Sequence, residues 1–402
     1  MKRPILVFFL FFYLVPAIFV LNYTDFVNIE YRGNVYYSSL IYASIFFLLT
    51  YQFSKIKLNI PNFKQLKILA IFFNKNIEWL FILSFFITSL IFFNSYGLEF
   101  RQTGVNISVG GVVIYLNYIT KAYVKCFIFK QIICISDVNY KVPKLKLILV
   151  FLSSLLATSA ALDILIPIFI IVLFIKKSLI YNDTKQVFPF YFFIFIVGIT
   201  VPIIGTANKI GFQPTYVLFT ENYDFVIKSV VRRIATWYHS INIYLDIVYY
   251  EIIPNFFDLI KDIFKTSVNR FAIIFGYDRD IPEINTAARF NYLNLFWDTS
   301  NPKTGATSGI VATSLLFFPF GLFVFSFILG KFYKYVYNLI PKKTSYFTDF
   351  FILLVIITPL VSSPLDLIII LSPETFFFFF LVCLKYHNIQ TNSFNEKNIN
   401  NL

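Results

Sequence analysis

Residues 4–22 read PILVFFLFFYLVPAIFVLN, nineteen positions without a charged side chain. At 1.5 Å per residue a run of this length matches the ~30 Å of hydrocarbon in a bilayer. Lipid gives an exposed backbone amide no partner, so such a run has to be helical. Runs of this kind recur, and their spacing predicts about ten helices, at 4–22, 37–53, 78–94, 109–128, 146–161, 162–176, 187–205, 309–330, 347–363 and 364–385. The fifth and sixth are short and share one apolar run broken at TSAALD, which suggests a tight hairpin of half-length helices. The chain is 58% hydrophobic and only 14% charged, where soluble domains run to about 25% charged. The expected fold class is therefore an all-α polytopic membrane protein.

A basic head, Lys2 and Arg3, precedes the first run, and no small-residue cleavage site follows it, so that run is expected to be retained as a helix. Lysines then gather in alternate connections: Lys55, Lys57, Lys64, Lys67 and Lys75; Lys141, Lys144 and Lys146; Lys176, Lys177 and Lys185; Lys331, Lys334, Lys342 and Lys343. The intervening loops 23–36 and 95–108 carry one arginine each, Arg32 and Arg101. This bias predicts both termini in the cytoplasm, in agreement with an even number of spans. The +13 net charge is accounted for by lysines facing a cytoplasmic leaflet, and no nucleic-acid partner is expected. Cys126, Cys134 and Cys383 form no close pair and only two histidines occur, His239 and His387, so neither a disulfide nor a metal centre is expected.

Four regions follow: an N-terminal bundle of about seven helices over 1–205, a polar segment over 206–308, about three further helices over 309–385, and an Asn-rich tail over 386–402 expected to be disordered. Residues 206–308 hold ten Lys/Arg and ten Asp/Glu, nearly half of all the acidic residues in a quarter of the chain. A structureless loop of this length is uncommon in a compact protein, so the segment is expected to fold as a helical cap on the outer side. Scaffold-borne loops are where function concentrates.

Within that segment, KSVVRRIATWYHSINIYLD (228–246) combines helical periodicity with charge. At 100° per residue Lys228, Arg232, His239, Asn242 and Asp246 share a narrow arc, and Val230, Ile234, Trp237, Ile241, Tyr244, Leu245 and Val248 lie opposite. A basic amphipathic helix lying on anionic headgroups has the same outline, but an acid and a histidine among the bases fit a built site better. Farther on stand Arg270, Arg279 and Arg289, with Asp278, Asp280 and Glu283 among them. Arginine forks bind phosphate oxygens in pairs and stay charged, so the cluster suits a lipid-linked pyrophosphate. Local ion pairs are the competing account of each single arginine.

A multi-span chain with a large outer loop, a basic RRI leading into an aromatic-rich helix that ends in YLD, and then NPKTGATSGIVATSLLFFPFGLFVFSFILG with its Phe320–Gly321 pair resembles the O-antigen (oligosaccharide repeat-unit) polymerases. The resemblance covers roughly 200–345 in detail and the rest in architecture. It implies a glycosyltransferase of the bacterial inner membrane, with the outer loop in the periplasm and no cofactor. The implied donor and acceptor are oligosaccharides linked to undecaprenyl diphosphate, and a chain-length regulator and a flippase are implied partners. His239, Arg232, Arg233 and Asp246 are the expected catalytic residues. Lys228, Arg270, Arg279, Arg289, Asp278 and Asp280 are expected to bind substrate. An unperturbed imidazole titrates near neutrality, which would suit His239 as a base; a helix-surface histidine bonded to Asn242 or Asp246 is the competing account. An O-antigen ligase would share architecture and donor, and a lipid-linked oligosaccharide flippase would share basicity and spans. A flippase, however, is expected to keep its ionisable groups inside the bundle and to show an internal repeat. Few such groups occur beyond Lys121, Lys125, Asp163, Asp366 and Glu374.

Overall fold

The structure of the chain, a computed structural model, describes residues 2–22, 34–56, 75–96, 111–136, 140–156, 164–175, 180–181, 203, 207, 211–221, 223–249, 261, 287–296, 307–340 and 344–362. Most of the described residues are helical, and no strand occurs among them. Three helices are long and apolar enough to cross a membrane, Pro4–Asn22, Lys75–Ser95 and Val112–Cys134, and Leu165–Phe174 and Tyr346–Ile357 are shorter apolar helices. The expected spans 187–205 (residue 203 apart) and 364–385 and the tail lie outside the described residues.

The described residues fall into two compact units, each built from distant stretches of chain. The first holds α1 (Lys2–Phe9), a π turn π1 (Leu10–Leu14), α2 (Val15–Asn22), α3 (Tyr37–Lys55), α8 (Phe212–Glu221) from Gln213 on, α9 (Tyr223–Tyr249), α10 (Ala287–Phe296), α11 (Gly309–Leu315), most of α12 (Phe320–Asn338), and α14 (Thr358–Ser362). The π turn has a local cause. Pro16 lacks an N–H and its ring crowds the carbonyl four residues back, and a wider turn just before it absorbs the defect without ending the helix. α3 matches its expected range, but Ser38, Ser39, Ser44, Thr50, Gln52 and Ser54 keep it less apolar than the three long spans.

The helix expected at 309–330 is two helices. Leu316–Pro319 form a turn between α11 and α12, at the one proline of the stretch. α12 then crosses α3 closely: a Cβ on Gly330 would stand 2.5 Å from the Thr50 carbonyl oxygen. At that crossing the Lys331 ammonium donates to the carbonyls of Phe53 and Ile56, each at 2.8 Å, and Lys334 to Ile56 at 2.9 Å. Two cations thus satisfy the open carbonyls at the C-terminus of α3, where the helix dipole also favours positive charge.

The second unit holds α4 (Lys75–Tyr96), α5 (Gly111–Cys134), α6 (Lys144–Leu156) and α7 (Leu165–Ile175), with α13 (Tyr346–Phe351) and the π turn π2 (Ile352–Ile357) as far as Ile356. α4 packs on both α5 and α6, and α6 on α7. The start of α4, the end of α5 and the start of α6 meet at one ionic cluster, where Glu78 takes Lys130 on one oxygen and Lys146 on the other, each at 2.5 Å. Pairing explains why α5 runs past its expected end at 128: the cation at 130 has a buried anion to meet. The described parts of α6 and α7 have 13 and 11 residues, about 20 and 16 Å of helix. On α13, Ser345 caps the first turn by accepting from the Thr348 amide at 3.2 Å, and Phe351 stacks on Phe169 of α7 at 4.0 Å.

Outward faces match an apolar surrounding. On α4, Leu80, Leu83, Ile87 and Ile91 form one exposed stripe at three- and four-residue spacing, Leu80 at 64% and Ile87 at 55%. Water would make such a stripe an aggregation site, and it is compatible with lipid.

Candidate functional site

α9 is the longest described helix and carries the candidate stripe. Its side chains are described over 235–248. The apolar half behaves as the periodicity requires. Trp237 stacks on Phe12 at 4.6 Å and lies 5.9 Å from Phe8 and 6.3 Å from Tyr13, against the first span. Its indole N–H donates to Thr307 Oγ1 at 3.1 Å. Gly309, at φ +74°, lies flat against the same ring, and any Cβ there would come within 2.8 Å of it. Tyr244 stacks on Phe290, and Asn291 Nδ2 donates to Ser240 Oγ at 3.0 Å, so α10 docks on α9 through both.

The polar stripe is covered by the first residues of α3. Asn242 Oδ1 accepts from the Tyr36 amide at 2.9 Å and from the Ser39 hydroxyl at 2.5 Å. The Tyr238 hydroxyl donates to the Tyr36 carbonyl at 2.9 Å, and the Tyr36 hydroxyl donates to Asp246 Oδ1. Asn34 Nδ2 reaches that same hydroxyl at 3.2 Å. Tyr36 therefore engages α9 through its amide, its carbonyl and its phenol, at positions 242, 238 and 246. These spacings of four are one helical face.

His239 lies on this stripe and is 1% exposed, and burial lowers its imidazole from the ordinary value to about 4. α9 lies outside the three long apolar spans, and His239 is an interior histidine, which the competing account of a helix-surface histidine does not fit. Asp246, about two turns farther on, is half-buried. One of its oxygens is held by Tyr36 and the other takes no hydrogen bond among the described residues.

Lys228, Arg232 and Arg233 lie on the helical backbone of α9, and Arg289 on that of α10; their side chains are outside those described. Arg270, Arg279, Asp278, Asp280 and Glu283 fall outside the described residues. The structure thus brings His239, Asn242, Asp246 and the helix bearing Arg289 together. Tyr36 and Ser39 join the stripe, and Asn291 docks beside it, without a motif of their own; the one signal available for the first two is the Tyr-Tyr-Ser-Ser that opens the apolar run of α3. No group of three or more His, Cys, Asp or Glu able to hold a metal occurs among the described residues. An open groove along α8, lined by Gln213, Pro214, Val217, Leu218 and Glu221, contains none of the candidate residues.

No family model, no curated protein and no solved structure matches this chain.

Proposed function

We propose that the protein is a glycosyltransferase that joins oligosaccharide repeat units, carried on undecaprenyl diphosphate, into a surface polysaccharide. In this reading about ten spans cross the bacterial inner membrane, both termini are cytoplasmic, and 206–308 faces the periplasm. A growing glycan is displaced from its lipid diphosphate by a hydroxyl of the next lipid-linked unit. Such a transfer needs cations where negative charge develops on the departing diphosphate and a base at the attacking hydroxyl. One observation carries the reading: a single helix bears Lys228, Arg232 and Arg233 in its first half and, about four turns beyond the arginines, a half-buried carboxylate at Asp246. Arg270, Arg279 and Arg289 would extend the diphosphate contacts, with Asp278 and Asp280 at the sugars. The resemblance around RRI, YLD and Phe320–Gly321 supports the same class.

Deleting the gene and resolving the surface polysaccharide on a gel tests it. A polymerase deletion leaves lipid A core bearing a single repeat unit. Bare core would instead make the protein a ligase, and repeat units stranded on the inner leaflet would make it a flippase. A long-chain ladder surviving the deletion removes the reading.

A further inference from the structure

We infer that the Asp246 carboxylate takes the proton of the acceptor hydroxyl, and that Tyr36, which no sequence motif marks, is the residue that positions it. The inference rests on the polymerase reading and settles which group of α9 does the base chemistry.

Three observations carry it. First, access: His239 is 1% exposed, enclosed between α9 and its neighbours, whereas Asp246 is half-buried. A base has to come within hydrogen-bond reach of the proton it removes, and of the two only Asp246 borders open space. Second, preparation: Oδ1 of Asp246 is fixed by the Tyr36 phenol, which leaves Oδ2 as the oxygen able to receive a proton. Third, rigidity: Tyr36 cannot drift, because its amide is held by Asn242 at 2.9 Å and its carbonyl by Tyr238 at 2.9 Å, both on the helix that bears Asp246. A carboxylate with one oxygen locked by a locked donor has a fixed plane and a fixed free lone pair, which is what positioning for proton abstraction requires.

In the transfer, the acceptor hydroxyl oxygen bonds to the anomeric carbon of the donor glycan as that carbon's bond to the diphosphate oxygen breaks. The bonding pair leaves with undecaprenyl diphosphate, and the hydroxyl proton passes to Asp246 Oδ2. Release of that proton to water or to the departing diphosphate returns the carboxylate. Donor and acceptor are the two lipid-linked glycans of the proposed reaction, and no other reactant is needed.

The test uses the full-length protein in its own membrane, supplied from a plasmid to the deletion strain, with polymer formation followed by a pulse of radiolabelled sugar and protein level by immunoblot. Asp246→Asn still accepts the Tyr36 hydroxyl but has lost its charge, so at normal protein level its rate should fall on the order of 100-fold or more, and at least tenfold further than in His239→Gln. Asp246→Glu should recover part of it. Tyr36→Phe should slow polymerisation about tenfold, and in the double variant Tyr36→Phe/Asp246→Asn the rate should equal that of Asp246→Asn alone, since a positioning residue has nothing left to position. A purely structural Tyr36 would make the two losses multiply. Multiplying losses, wild-type rate in Asp246→Asn, or a greater loss in His239→Gln than in Asp246→Asn would each overturn the inference. Should Tyr36→Phe fail to accumulate, the comparison of Asp246→Asn with His239→Gln decides alone. The deletion strain separates the two levels: if it keeps long-chain polysaccharide, the polymerase reading fails, and if it loses polymer while the variants behave otherwise than stated, only the assignment of the base fails.

Discussion

Gly321 shows how much one missing methyl group can decide. It follows the proline turn at 316–319, its amide donates to the Phe317 carbonyl at 2.7 Å, and a Cβ added there would stand 2.1 Å from the Ser314 carbonyl oxygen. That oxygen belongs to backbone, not to a side chain that can swing away, so the turn itself would have to open. Ser314 is also the residue whose hydroxyl meets Tyr42 of α3 at 2.8 Å, which ties the turn to the packing of α11. Gly321→Ala should therefore cost about 1–3 kcal/mol, the range of other overpacked sites, and lower the thermal midpoint of the detergent-purified protein by a few degrees, measured by tryptophan fluorescence. An unchanged midpoint would mean that the turn relaxes freely. In the sequence Phe320–Gly321 stood out only as part of a resemblance, because a steric need for glycine depends on which carbonyl the fold brings over it. The α9 stripe has the same limit. Helical period alone put His239, Asn242 and Asp246 on one arc, but that Tyr36, about two hundred positions away, bonds Asn242 and Asp246 on that arc, and that His239 is buried, are properties of packing that no local pattern carries.

Helix existence was legible in the apolar runs at 4–22, 37–53, 78–94 and 146–176; α6 and α7 pack on each other, and the break expected between them at TSAALD lies outside the described residues. Interruptions were less so, although each has a residue behind it. Both π turns end two residues before a proline, π1 before Pro16 and π2 before Pro359, whereas the proline at 319 sits in a full turn between two helices. A lone proline in an apolar run thus has two outcomes, and neighbouring packing selects between them. The Glu78 cluster is another case. Glu78, Lys130 and Lys146 looked like charges at the margins of three separate runs, yet α4, α5 and α6 gather them at 6–12% exposure. Removing one partner of a buried pair leaves the other charge uncompensated, at a cost of about 3–5 kcal/mol. Glu78→Ala removes the anion that both lysines share and should lower the thermal midpoint more than Lys130→Ala, which leaves Glu78 its bond to Lys146. Equal effects in the two variants would show that the cluster is wet enough for water to screen it.

At the scale of the whole molecule the open quantity is which side of the membrane each connection occupies. Helix packing is indifferent to that question, since a bundle and its inverted copy in the bilayer make the same contacts. Lysine distribution is not indifferent, because a translocated lysine costs free energy that a retained one does not. Lys176, Lys177 and Lys185 crowd a short stretch before the seventh expected run, where the bias acts, while 206–308 is long enough to be translocated whatever its ten basic residues. Single cysteines at Asn182 and Asn301 test the assignment, in a background with Cys126, Cys134 and Cys383 replaced by serine. In cells whose outer membrane has been made permeable, an impermeant maleimide should label Asn301→Cys. Asn182→Cys should label only after the inner membrane is disrupted. Labelling of Asn182→Cys in intact inner membranes would place the α9 arginines on the cytoplasmic side, where a lipid-linked glycan already translocated could not meet them, and the polymerase reading would fall with the orientation.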